Sequence, residues 1–530
     1  MRWTRRRCRH WTRAALLATS SLTVLVATAC GAGPSERPGV AVERPHQAGG
    51  DTRTTTEAPP PPPALQTPKT DLNWHECGTP TFNLLGLGAP PAGLIFECAE
   101  YSTPIDAAGG ILGTFRTGAV RARLQQTPAG AAPLVLTSGS DRSSTATLAG
   151  LAAGPAAAVL TAHPIVAVDR RGMGSSQPID CMTTDTRRAV SDNAQFTAGG
   201  GDPVDAVAKL SQDATIACQD FLQPYQGTFD SAHAADDVEQ LRKQWQVDTI
   251  GLIGTGNGAR VAMSYAAKYG DHLSRLVLDS PEAVTADAVG RAEQRVKGAE
   301  AALTGFAQRC AGIGCALGPN PRAAVADLVN RAATGGLGDL SANVLLTTIS
   351  GFLGDPRADQ ASRTAELADA LAAAGRGDRG PLNSLVLRES AAVDSDGQFV
   401  ARCSDNQQPA TPTRAKELEN TWNGQYPVFG KAAATRLMAC TAWPVPNAAL
   451  LPQKYTGQVL VLGAAADPVV GGDGRPAVTG ALGAAGARVS SVEWQGWGHP
   501  VFTHTACAQQ YIVDYAKDAT LPQDGTACPA

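Results

Sequence analysis

Gly254-Thr255-Gly256-Asn257-Gly258 is the segment whose spacing points most directly to chemistry. It follows an apolar run, Thr249 to Ile253, and precedes a helix-forming stretch, Ala259 to Lys268. Strand, tight turn and helix with glycines flanking a central residue is the G-x-S-x-G frame, which lifts a serine nucleophile to the end of a sheet. The outer glycines suit a cramped turn. The central residue here is Gly256, which has no side chain to attack with. The same residues fit a second frame. Gly254-x-Gly256-x-x-Ala259 matches the dinucleotide fingerprint with its permitted final alanine, and an acid, Asp279, ends the next apolar run. Against it, that fingerprint opens the first strand–helix unit of a fold, whereas apparent sheet segments precede this one.

Such a turn needs a sheet to carry it. Short apolar runs ending in turn residues read as buried parallel strands at Pro133 to Leu136, Ile165 to Val168, Thr249 to Ile253, Leu276 to Leu278 and Val459 to Leu462, with a more mixed run at Val489 to Trp494. Helical spacing lies between them. In 234–246, Val238, Leu241 and Trp245 share one face, and Glu239 and Lys243 stand four apart on the other. This alternation implies an α/β domain with a mostly parallel sheet. It stops after Asp279. Residues 284–454 are Ala-rich and helical in pattern, and then two strand runs follow. A helical insertion at that point is a lid over the strand ends. The expected organisation is a core in two parts, 71–283 and 455–530, around a lid insertion at 284–454.

The first 70 residues read as an export device. Six arginines lie in the first 13 residues and no acid occurs in residues 1–30. A modest apolar run, Ala14 to Ala29, ends in small residues, and Cys30 follows at once. This is the layout of a secretory signal. Its end, Ala27-Thr28-Ala29-Cys30, resembles the bacterial lipobox, which would make Cys30 the site of lipidation; the alternative is an ordinary signal with an incidental cysteine. Residues 31–70, rich in Pro and Thr, read as a tether. Ten further cysteines remain after Cys8 and Cys30, an even number that suits disulfides in an exported chain. The simplest pairing joins neighbours: Cys77 with Cys98, Cys181 with Cys218, Cys310 with Cys315, Cys403 with Cys440, and Cys507 with Cys528. No CxxC pair or histidine cluster suggests a metal. Of the 530 residues, 43% are apolar, enough for a large core. Beyond residue 30 there are 38 bases against 48 acids, which argues against a nucleic-acid partner. No apolar run reaches the ~18–20 residues of a spanning helix.

Several segments together resemble the secreted tripeptidyl-aminopeptidase-like family of actinobacterial α/β-hydrolases, related to proline iminopeptidases. They are His163 to Cys181 (HPIVAVDRRGMGSSQPIDC), Ala235-Asp236-Asp237 with Leu241-Arg242, Arg275 to Pro281, and the C-terminal stretch from Val459 to Cys528. The resemblance implies an α/β-hydrolase fold and the chain order nucleophile, acid, histidine. It places the acid at Asp467, in Ala464-Ala-Ala-Asp-Pro468, and the histidine at His499, in Gly496-Trp-Gly-His499; Asp473 and His504 are the nearest substitutes. The acid would orient the imidazole, which would take the nucleophile's proton.

Two departures stand out. Gly256 replaces the nucleophile. The loop after Leu136, Thr137-Ser-Gly-Ser-Asp-Arg-Ser-Ser144, lacks the family's GGPG-like oxyanion glycines; the candidate oxyanion donors are Ser138, Gly139 and Asn257, and Asp141 would set a negative charge nearby. One functional reading is therefore an exported lipoprotein, impaired as a hydrolase, that binds peptides or acyl compounds in the retained cleft and meets the membrane through its lipid anchor. The other is a live hydrolase using Ser138, Ser140, Ser143, or a water activated by His499 and Asp467. Lid acids hold the substrate's N-terminus in the family; Glu300 and Glu366 lie in the lid region but match no motif. No cofactor is expected on either reading. Acylation of Cys30 predicts that the protein partitions with membranes and that Cys30→Ala releases it. Wild-type protein found soluble, without lipid by mass spectrometry, would contradict this.

Overall fold

The computed structural model describes residues 62–530, apart from 155–156, 356–359, 394, 445–448 and 473. The signal segment, Cys30 and the tether up to residue 61 lie outside the described residues. The tether expected to run to residue 70 is corrected at its end. Leu65 packs on the core, the Lys69 amide donates to the Trp245 carbonyl at 2.9 Å, and Arg275 donates to the Pro63 carbonyl at 2.9 Å. Residues 63–70 belong to the folded body because it supplies partners for both their apolar and polar groups.

Among the described residues the sheet has ten strands: β1 (His75–Glu76), β2 (Leu94–Asp106), β3 (Ile111–Leu124), β4 (Leu134–Thr137), β5 (Ile165–Val168), β6 (Ile250–Thr255), β7 (Leu273–Asp279), β8 (Gln458–Ala466), β9 (Arg488–Trp497) and β10 (Thr526–Cys528). Their order is β1-β2-β3-β5-β4-β6-β7-β8-β9-β10. From β5 through β10 neighbouring strands are parallel; β1, β2 and β3 form an antiparallel flank. The six apolar runs read from the sequence are β4 to β9. The long β2–β3 hairpin was not among them. In β2 the buried positions Ala99, Tyr101, Thr103 and Ile105 alternate with exposed ones, so no continuous apolar run marks the strand.

The central strands are buried on both faces. Leu134, Leu136, Ile253, Val277 and Leu462 point into one layer, beneath helices 144–153 and 506–518. Val135, Leu252, Leu276 and Val461 point into the other, beneath helices 231–245, 258–269 and 474–484. Between β7 and β8 the described chain forms eight α-helices, from Ala288–Gly312 to Gly430–Arg436. They enclose a core of their own that includes Leu303, Phe306, Leu328, Ile349 and Leu371. All five neighbour-to-neighbour disulfides are formed. No helix among the described residues is long and apolar enough to cross a membrane.

The Asp169-Arg170-Arg171-Gly172 segment ties core to lid. Arg171 makes a two-point bond to Asp237, at 2.9 and 2.8 Å, with both side chains buried. Arg170 reaches Asp405, at the end of lid helix Asp396–Ser404, at 2.7 Å. Replacing one member of a buried pair strands the other charge, at a cost of about 3–5 kcal/mol. Arg171→Met is therefore expected to lower unfolding stability by that amount in a denaturant titration, far more than an exposed pair such as Arg414–Glu417 would cost.

Candidate functional site

Gly256 stands where β6 turns into helix Gly258–Tyr269. Its φ of +55° lies in the left-handed region that disfavours side chains. The flanking glycines serve close approach: a Cβ at Gly258 would stand 2.1 Å from the Thr137 carbonyl oxygen, and one at Gly254 would stand 2.9 Å from the Ala262 Cβ. The turn thus has the shape of the nucleophile frame without its central side chain.

Asp467 and His499 converge on this turn from the loops after β8 and β9. His499 Nδ1 lies 2.8 Å from Asp467 Oδ2. The other carboxylate oxygen accepts the Val469 and Val470 amides at 2.8 and 2.9 Å. A carboxylate partner keeps the proton on Nδ1 and leaves Nε2 to face Gly256; a Cβ built at Gly256 would stand 3.0 Å from Nε2. Burial pulls the imidazole pKa down, but the charge and hydrogen bond of Asp467, with Asp141 and Asp279 beyond, leave it raised. His504 is no substitute. Its Nε2 lies 3.0 Å from the Gly354 carbonyl oxygen, its ring stacks on Trp494, and burial lowers its pKa to about 3. The other substitute, Asp473, lies outside the described residues.

The space above Gly256 is taken by the Asp141 carboxylate. Its Oδ2 would stand 2.5 Å from a Cβ at residue 256 and accepts the Asn257 backbone N–H. Its Oδ1 accepts from Arg295 at 2.9 Å. The same Arg295 nitrogen donates to Glu282 at 2.5 Å, and Glu282 accepts from the Asn257 side chain at 3.0 Å. Burial raises the Asp141 pKa, with Arg295 pulling against it and Glu282 pushing with it. From the lid, Gln398 donates to the Ser140 and Asp141 carbonyls at 3.0 and 2.8 Å.

Two of the candidate oxyanion donors are therefore corrected. The Asn257 amide is occupied by an anion of the protein itself. Ser138 faces away: its amide donates to Ser144 Oγ at 3.0 Å and its hydroxyl to Thr147 Oγ1 at 2.8 Å. Gly139 keeps φ +65° and packs against Asn257 and Gly258. The substitute serines are also engaged. Ser140 Oγ donates to Asn257 Oδ1 at 3.0 Å, and Ser143 caps helix Ser144–Ala153. Asp279, the acid of the dinucleotide frame, is fully buried and accepts the Val501 and Phe502 amides at 2.8 and 2.7 Å, so it is not presented to a ribose. Burial raises its pKa to about 6.

Residues 426–528 match the family model described as TAP-like protein, and residues 150–311 match the model of the alpha/beta hydrolase fold. The chain has the α/β-hydrolase fold, and its C-terminal part is similar to TAP-like proteins. No curated protein matches its sequence. Similar solved structures include an esterase from a Rhodococcus species (15% identity, TM-score 0.35, covering 80% of this chain and 99% of the esterase). Another is an esterase from Exiguobacterium antarcticum (12%, 0.36, covering 76% and 96%). A third is the epoxide hydrolase CorEH (15%, 0.34, covering 79% and 97%). At these identities and scores the likeness says nothing about chemistry.

Two hollows meet at Asp141. A small one of about 30 Å³ lies on the His499 side; a larger one of about 350 Å³ opens under the lid. Asp141, Glu389 and Val469 border both. The lid acids raised from sequence are not in either. Glu300 accepts the Val428 and Phe429 amides at 2.7 and 3.0 Å and pairs with Arg322, and Glu366 is paired with Arg388. The residues that do shape the site, Glu282, Arg295, Gln398 and Arg402, carry no motif. The one sequence signal that could have found any of them is the four-residue spacing of Arg291 and Arg295, which puts them on one helix face.

The imidazole generates a pH prediction. Its folded pKa lies above the unfolded value near 6.5, so its contribution to stability is complete below that pH and is lost as pH rises through the folded value. Asp467→Asn is expected to lower the titration midpoint of the His499 Cε1 proton in NMR and to flatten that part of the stability profile. An unmoved midpoint would show that the pair is not what holds the imidazole.

Proposed function

We propose that this chain is an exported, Cys30-anchored binding protein derived from a hydrolase, with a cleft that still takes a small peptide or acyl ligand but no covalent step. The observation that carries this reading is the Asp141 carboxylate above Gly256. Loss of the nucleophile alone removes about six orders of magnitude from the turnover of a serine protease. A second loss compounds it. The Asn257 amide, which should stabilise a developing oxyanion, is bonded to a fixed one. At an effective dielectric near 20, two like charges ~3 Å apart repel by roughly 5 kcal/mol. Five disulfides suit the exported setting.

A second reading keeps hydrolysis by a water at His499 Nε2, and the intact Asp467–His499 pair favours it. Turnover of tripeptide amides and short esters separates the two, since water attack escapes a serine probe.

Fluorophosphonate labelling tests the first reading. Wild-type protein should not label. Gly256→Ser alone should label poorly, because its Cβ would meet Asp141 Oδ2 at 2.5 Å and the φ is strained by about 1–3 kcal/mol. Gly256→Ser with Asp141→Gly should label readily, and adding His499→Ala should abolish it. Labelling of the wild type at any serine would overturn the reading.

A further inference from the structure

The charged side chains lining the larger cavity do not balance. Three are answered by partners outside it: Arg187 by Asp396 at 2.6 Å, Asp405 by Arg170 at 2.7 Å, and Glu389 by Arg142 at 3.0 Å. Asp141 and Glu282 are answered within it by Arg295, and Arg291 adds to the field that holds Glu282 ionised. Arg436 also lines the cavity and is engaged by a partner of its own, which leaves Arg402. Its side chain has no ion-pair or hydrogen-bond partner among the described residues, and its Nε is buried and unsatisfied. It lines the cavity from helix Asp396–Ser404.

Arg402 is half-buried, and its Nε is taken out of water without a partner; a buried unsatisfied donor of this kind asks for a reason. The planar fork of an arginine matches a carboxylate or phosphate at two points. The cavity walls combine polar side chains with an apolar part that includes Val296, Leu346, Phe429 and Leu437, and the space is about 350 Å³. That volume suits a small ligand with one charged end. Burial, with Arg436 and Arg295 nearby, lowers the Arg402 pKa to about 9, which still leaves the group charged at neutral pH.

We propose that this cavity binds an organic anion, a carboxylate or phosphate head group on an apolar tail, and that Arg402 holds the head group. The inference rests on the reading of the cleft as a binding site. It adds a charge preference opposite to that of a site built to hold a free amino terminus.

The test titrates the wild-type protein with hexanoate, hexyl phosphate and neutral hexanamide by calorimetry. At least one anion should bind about tenfold or more tighter than hexanamide, and the better of the two identifies the head group. Arg402→Met should erase the preference. The variant's melting temperature without ligand should hold or rise, because a buried donor without a partner has been removed, so the loss cannot be ascribed to unfolding. Equal binding of hexanamide and both anions, or an anion preference that survives Arg402→Met, would overturn the proposal. Wild-type labelling by a fluorophosphonate would instead overturn the non-covalent reading while leaving the anion preference measurable.

Discussion

The Asp141 carboxylate, held between the Asn257 amide and the Arg295 guanidinium, is the interaction on which the rest of the cleft depends. Glycine at residue 256 leaves it room: a Cβ there would stand 2.5 Å from the carboxylate oxygen. The two departures seen in the sequence, a glycine for the nucleophile and an acid in the oxyanion loop, are therefore one structural event. The glycine leaves room for the acid, and the acid accepts the Asn257 backbone N–H. Glycine at φ +55° also relieves the backbone strain that a nucleophile must tolerate at this turn.

The lid holds this arrangement from above. Gln398 grips the loop of Asp141 by two carbonyls. Gly298 lets helix Ala288–Gly312 press onto the Asp467 carbonyl, where a Cβ would stand 2.0 Å away, and Gly397 lets its helix press onto Gly172. The Gly354 carbonyl accepts from the His499 amide at 3.2 Å. Ion pairs with buried carboxylates, such as half-buried Arg295 with Asp141 and Glu282, add little net stability once desolvation is counted, but they allow few alternative geometries. The lid and the charges thus fix positions rather than supply the bulk of the folding energy, which comes from the apolar layers on the two faces of the sheet.

Much of this was legible in the sequence, and for identifiable reasons. Strands buried on both faces are continuous apolar runs, so β4 to β9 could be read, and with them the ends that carry Gly256, Asp467 and His499. The hairpin of β2 and β3 was not, because half-exposed strands interleave Thr, Ser and Glu with their buried residues. At the site, residues in tight turns were readable because turn geometry demands particular residue types. Arg295, Glu282 and Arg402 were not: they come from separate elements, and only the packing of the lid on the sheet makes them neighbours. Glu300 and Glu366 misled for the converse reason, since an acid on a helix looks the same whether it faces a ligand, an amide or solvent.

The Asn257 amide is bonded to a carboxylate. The most direct measurement is its proton chemical shift in protein labelled with ¹⁵N-asparagine. A charged acceptor shortens the bond and moves the proton downfield, so one asparagine amide should resonate well outside the main group and return toward it on Asp141→Ala. An asparagine spectrum with no such resonance, or one whose resonance is indifferent to Asp141→Ala, would contradict the account.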